Sequence, residues 1–167
     1  MSTGDFDPYQ QPPAYGGPPA GQPGTLGIRF LARLLDGIVV GFLASILTSL
    51  FGFGSDTVLG VPSYTLTAGL FSGVLMFAYF VGFETWKGWT PAKKLLGLEV
   101  RGVGGAPKPD LRQAAVRNLF TLLALIPCLG WILAPVAYIV IAVTINSSPT
   151  KQGKHDELAG GTQVVKV

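Results

Sequence analysis

Charge is what this chain has least of. Asp, Glu, Lys and Arg make up only 13% of its 167 residues, against about 25% in average soluble proteins. Hydrophobic residues make up 49%, and the mean hydropathy is +0.46. A soluble enzyme with a polar surface is excluded on these grounds. Cysteine and histidine occur once each. One Cys forms no intrachain disulfide, and the pair falls short of the roughly four ligands a Cys/His zinc site needs. With a single His and no Ser-His-Asp pattern to place, no catalytic residue, metal or cofactor is expected. The glycines at Gly104-Gly105 lack the Gly-Lys-Ser/Thr ending of a phosphate loop. The net charge of +3 implies no nucleic-acid partner, and where the cations sit matters more than their sum.

Residues 1–25 stand apart. They hold 6 of the 13 prolines and 5 of the 23 glycines, and no aliphatic residue larger than Ala lies between Met1 and Leu26. Such a segment buries too little apolar surface to offset its ordering entropy. It is expected to be a disordered, partly polyproline cytoplasmic tail, serving either as a solubilising arm or as a docking arm with Tyr9 and Tyr15 as anchors. It lacks the basic start and apolar stretch of a signal peptide. Residues 26–167 form the second region.

What is plentiful is apolar sequence. Runs cover about Leu34–Phe51, Tyr64–Phe83, Leu119–Ile126 and Leu129–Ile145. The first two are long enough to span a bilayer. The last two, with Pro127 and Gly130 near their join, read as one kinked span or as a helical hairpin. The expected fold is therefore an all-α integral membrane protein of three to four transmembrane segments. A short cytoplasmic hairpin or loop joins the second to the third. Lys and Arg are absent from 52–63, whereas Lys87 to Arg117 carries seven, and Arg29 and Arg33 precede the first span. The positive-inside rule then puts the N-terminus and the long link in the cytoplasm. Lys151, Lys154 and Lys166 put the C-terminus there too, which favours four segments. Within the link, Leu96, Leu98 and Val100 alternate as in a short strand, and Gly104 to Pro107 reads as a turn. Trp86, Trp89 and Trp131 fit interfacial anchors, and Cys128 fits packing.

Small and charged residues inside the runs carry the sharper expectations. Gly37 and Gly41 recur every four residues in the first span, as do Gly69 and Gly73 in the second. Small residues at that spacing let helix backbones approach closely in lipid, so these stripes are expected to pack the first two helices together. Arg29, Arg33 and Asp36 share one helix face, and Glu84 lies at a similar depth on the antiparallel second helix. Carboxylates there are costly unless paired or hydrated. A cluster of Arg29, Arg33, Asp36 and Glu84 satisfies both signs, as a structural ion-pair network or as an ion or proton site. His155 is expected to be exposed in a polar tail.

The motifs in order resemble the RDD family of small bacterial membrane proteins. Arg29 and Asp36 in RFLARLLD match its arginine and first aspartate, and Asp156 in HDELAGGTQVV matches the second. Thr90, Pro91, Lys93, Lys94 and Gly97 fall in a stretch that looks like its central motif. Arg117 resembles the arginine opening its next apolar segment, and His155, Gly160 and Thr162 flank the second aspartate. Ala92 replaces the usual Gly after Thr-Pro, and Gly160-Gly161 has one Gly more than usual. The resemblance implies a multi-pass protein of the bacterial inner (plasma) membrane and no enzyme. Two functions fit: an accessory or assembly subunit of a larger membrane complex, such as a respiratory one, or a homo-oligomeric transporter of ions, protons or small solutes. The implied partners are the lipid bilayer and other membrane subunits or further copies of the chain.

Overall fold

The computed structural model describes residues 21–51, 57–58, 60–126 and 129–167. Most of the expected tail, with Tyr9 and Tyr15, lies outside the described residues, as do Pro127, Cys128 and the Trp131 side chain.

The two long apolar runs form helices longer than the runs themselves. Helix α1 spans Leu26–Phe51 and α2 spans Ser63–Lys87, and both are long and apolar enough to cross a membrane. Between them lies a small ladder of β2 (Thr57–Val58) against β3 (Val61–Pro62). Much of α1 faces outward with bare side chains: Phe30, Ile38, Phe42 and Leu50 are all more than half exposed. An apolar face of this size is stable only against lipid or protein.

Gly88 ends α2 in the left-handed conformation (φ 77), its amide donating to the Glu84 carbonyl. Two residues on, Thr90 caps the short helix α3 (Pro91–Leu95), with Pro91 at its first position. Proline is favoured there because its missing N–H has no partner to lose. The strand β4 (Leu98–Arg101) follows, then a 3₁₀ turn at Val103–Gly105. Asp110 caps α4 (Leu111–Asn118) in a reciprocal box with Gln113.

The alternating Leu98 and Val100 do form a strand, but not the expected local hairpin. The partner of β4 is β5 (Gln163–Lys166) at the far end of the chain, antiparallel, with Glu99 opposite Val165 and Arg101 opposite Gln163. A third strand, β1 (Gln22–Pro23), pairs on the other edge of β5. The chain is mostly helical, as the all-α expectation has it, with this small sheet added, and Gln22 and Pro23 of residues 1–25 sit in its ladder. Leu98, Val100 and Val164 bury completely against Ala32 of α1 and Ala92 of α3. At about 1.5–3 kcal/mol for each large apolar side chain, this small core fastens the sheet to the base of α1.

The second half of the apolar sequence is not one kinked span. Leu119–Leu125 is a 3₁₀ helix, and α5 (Gly130–Ser147) follows as a separate helix with Pro135 inside it. The 3₁₀ segment packs on both α2 and α5. Gly130 makes this turn possible: a Cβ there would lie 2.7 Å from the Leu123 carbonyl and 2.8 Å from that of Ala124. Both are backbone atoms with little freedom to retreat. Gly130→Val is expected to cost about 1–3 kcal/mol through overpacking, read as a lower melting temperature in detergent.

Helices α1 and α2 pack against each other, and Gly37 meets the end of Met76 on α2. Gly73 meets Leu125, and Gly69 meets the Ala124 carbonyl, so the α2 stripe also receives the 3₁₀ segment. Among the described residues, nothing lies within 4 Å of a Cβ built at Gly41. A groove of about 440 Å³ remains between these faces of α1 and α2, bordered by Ser45, Thr48 and Ser72. Small residues permit close approach but do not specify what approaches.

Candidate functional site

The short helix α6 (Lys154–Leu158) turns the chain back under α4 and α5, toward the sheet. This return brings together residues that are far apart in sequence. Arg29, Asp36, Glu84, Lys93, Arg117, Asn118, His155, Asp156 and Thr162 are all buried in one region.

Their charges alternate along a chain of contacts. Arg29 pairs with Asp156 at 3.3 Å and also donates to the Gly24 and Val164 carbonyls. Asp156 pairs in turn with Arg117. The Arg117 Nε lies 3.2 Å from Glu84, and Glu84 also binds Lys93. Asn118 ties in a neutral branch: its amide donates to Glu84 at 2.9 Å, and its carbonyl oxygen accepts both terminal nitrogens of Arg33 at 3.2 Å. Five elements are thereby joined: α1, α2, α3, α4 and α6.

Asp156 is held most completely. It also accepts from the Gly153 amide at 3.1 Å and from the Thr162 hydroxyl at 3.2 Å. Burial alone raises a carboxyl pKa, but Arg117 and Arg29 outweigh burial here and hold Asp156 below its ordinary value. Burial depresses Lys93 to about 8, with Glu84 opposing the shift. Burial also drives His155 down to about 3, against the opposing pull of Asp156. His155 is therefore neutral at physiological pH. It is not the exposed tail residue expected: its ring packs edge-on to Phe120, and its Nδ1 is buried without a hydrogen-bond partner among the described residues.

The expected cluster of Arg29, Arg33, Asp36 and Glu84 is divided among other partners. Neither arginine pairs with Asp36. That carboxylate accepts from the Tyr79 hydroxyl at 2.7 Å, from the Thr90 hydroxyl and from the Ala92 amide at 3.1 Å. It sits at the start of α3, where free amides favour an anion. The physical reason for the division is geometric. The α3 amides and Thr90 reach Asp36, while Arg29 is drawn to the sheet and the α6 turn. Ala92 keeps the amide that this contact needs and adds a methyl buried in the core. Asp36→Asn would replace an acceptor oxygen by a donor group facing donors. A loss of about 1.5–3 kcal/mol is expected, the scale of a hydrogen bond to a charged group, measurable by thermal unfolding in detergent.

Among the other motif residues, Lys94 is exposed, its ammonium 5.5 Å from the Trp89 ring. Gly97 adopts φ 65 and leads into β4, and Gly160 adopts φ 91 after α6. Sequence reasoning missed Tyr79 and Asn118. Asn118 follows Arg117 at the end of α4, and the Asp-x-x-Gln box at Asp110 was the available signal for that helix.

Beside the network, a cavity of about 490 Å³ opens between α1 and α5. Its walls include Leu34, Ile38 and Ile141, and its polar lining includes Arg29, Arg33, Lys93, Arg117 and His155. Among the described residues, no carboxylate lines it.

The sequence model of the RDD family matches residues 23–160, which include the whole charge network except the Thr162 hydroxyl and the Val164 carbonyl. No curated protein and no solved structure matches the chain.

Proposed function

The chain belongs to the RDD family, and from that premise we propose that it is a non-enzymatic accessory or assembly subunit of a larger membrane complex. The protein sits in the plasma membrane as a multi-pass chain with its N-terminus in the cytoplasm. The lysines and arginines flanking the apolar helices support that orientation. The charge network then lies near the cytoplasmic ends of α1 and α2, where it locks the helices to the sheet and to α6.

One observation carries the choice of an accessory role over transport. Every buried carboxylate among the described residues is occupied by protein donors. Asp36 has three, Glu84 is held by Lys93, Arg117 and Asn118, and Asp156 is held by Arg29, Arg117, Thr162 and Gly153. None faces the larger cavity, whose polar lining is cationic or neutral. A cation pathway needs an acceptor open to water, and none of these three carboxylates is one. The exposed apolar face of α1 suits a neighbouring subunit as well as it suits lipid.

Ion flux in reconstituted vesicles tests the choice. No sodium, potassium or proton flux above empty vesicles is expected from the purified protein. Flux that disappears in Asp36→Asn, in a variant still assembled in the membrane, would establish the homo-oligomeric transporter instead.

A further inference from the structure

The charges of the network do not balance. Buried Arg29, Lys93 and Arg117 and half-buried Arg33 supply four cations, whereas Asp36, Glu84 and Asp156 supply three carboxylates, and His155 is neutral. The contacts show which cation is left over. Arg29, Lys93 and Arg117 each touch a carboxylate. Arg33 touches none among the described residues.

Arg33 is held by one neutral acceptor and by aromatic faces. Both terminal nitrogens share the Asn118 carbonyl oxygen, which uses two of the five N–H donors of a guanidinium. The Nε is buried with no partner among the described residues. The Phe80 and Phe120 rings lie 3.9 and 4.7 Å from the guanidinium carbon. Such rings attract a cation but carry no negative charge. A half-buried guanidinium with no carboxylate partner is left partly desolvated without a counter-charge, and this one lines the cavity of about 490 Å³.

The rest of that cavity defines what would neutralise it. Its lining sets Arg29, Lys93, Arg117 and His155 beside Arg33, and most of the remaining lining is apolar, from Leu34 and Ile38 on α1 to Ile141 and Ala142 on α5. A small inorganic anion would leave those walls bare. A headgroup with one negative charge, carried on an acyl chain, fits both ends. Basic pockets between membrane helices near the cytoplasmic side are suited to anionic headgroups. We propose that the α1–α5 cavity is a binding site for an anionic phospholipid, with its phosphate on Arg33 and an acyl chain along Ile38 and Ile141.

This proposal rests on the membrane reading above but not on the accessory role. Failure of the membrane reading would appear as protein in the soluble fraction. Failure of the lipid site would appear as membrane-extracted protein that retains no lipid. The test is native mass spectrometry of protein extracted in mild detergent, washed extensively, and then offered phosphatidylglycerol or phosphatidylethanolamine. One phosphatidylglycerol per protomer should survive washing on the wild-type chain. It should also survive on Arg112→Gln, which removes an exposed cation away from the cavity. It should be lost from Arg33→Gln. Ala142→Phe fills the apolar wall without altering any charge, so it should lose the lipid while keeping the wild-type circular dichroism. That variant decides the matter if Arg33→Gln does not fold. Equal retention by all four chains would overturn the proposal, as would equal retention of phosphatidylethanolamine. Displacement of the lipid by inorganic phosphate alone would also overturn it, by making the site one for free phosphate.

Discussion

Arg117→Met is expected to lower stability by about 3–5 kcal/mol, the cost of leaving buried charges without their partner. Arg117 is the only residue among those described that pairs with both Glu84 and Asp156. Without it, Asp156 keeps Arg29 at 3.3 Å, and Glu84 keeps Lys93 and Asn118. Each carboxylate, itself fully buried, then has one cation where it had two. The natural control is Lys154→Met. Lys154 pairs with Glu157 at 2.9 Å, and both side chains are about half exposed. Water screens such a pair, and its loss should cost only about 0–1 kcal/mol. Unfolding in detergent, followed by circular dichroism, separates the two. Equal losses would mean that the network does not hold the fold together.

The second large effect is a loss of stability in mild acid, set by His155. The groups facing its ring are Asp156, 3.6 Å from Nε2, with Arg117, Arg33 and Glu84 further off and Phe120 packed against it. Burial lowers its pKa from 6.5 to about 3 in the folded protein. The unfolded chain therefore takes up a proton as pH falls through about 6.5, and the folded chain does not. More protons on the unfolded state means that stability rises with pH in this window and falls as the solution is acidified. From neutral pH down to about pH 5 the loss should be about 2 kcal/mol. His155→Phe removes the titrating group and keeps the aromatic contact, so its melting temperature should be nearly flat over that range. Asp156, held below its ordinary value, adds a further loss only under stronger acid, below about pH 4. A wild-type slope that persists unchanged in His155→Phe would assign the effect to another group.

The two long helices were legible because a bilayer-length apolar run has few other meanings. The Thr-Pro segment reads only as part of the family motif, although a cap followed by proline is a local helix start. The charge network was legible only in its membership. Arg29 and Asp156 are 127 residues apart, and nothing local says that they meet. Their meeting depends on β5, Gln163–Lys166, whose adjacent Val164 and Val165 between polar residues show no strand alternation. Without β5 the strand signal at Leu98 and Val100 points to a nearby hairpin. Without the α6 turn His155 reads as solvent-exposed. Asp36 was assigned to the arginines on its own helix because spacing shows which residues share a face. It does not show that the α3 amide and two hydroxyls compete for the same carboxylate. The glycine stripes did not name their neighbours for a related reason: Gly69 and Gly73 fit whatever packs there, and the 3₁₀ segment does so.

The central claim is that this chain works as a subunit in a larger assembly. Gentle detergent extraction from the source membrane, followed by native mass analysis and peptide identification of every co-migrating chain, tests it most directly. The account predicts at least one different membrane protein in fixed stoichiometry with this chain. A complex made only of copies of this chain would contradict it.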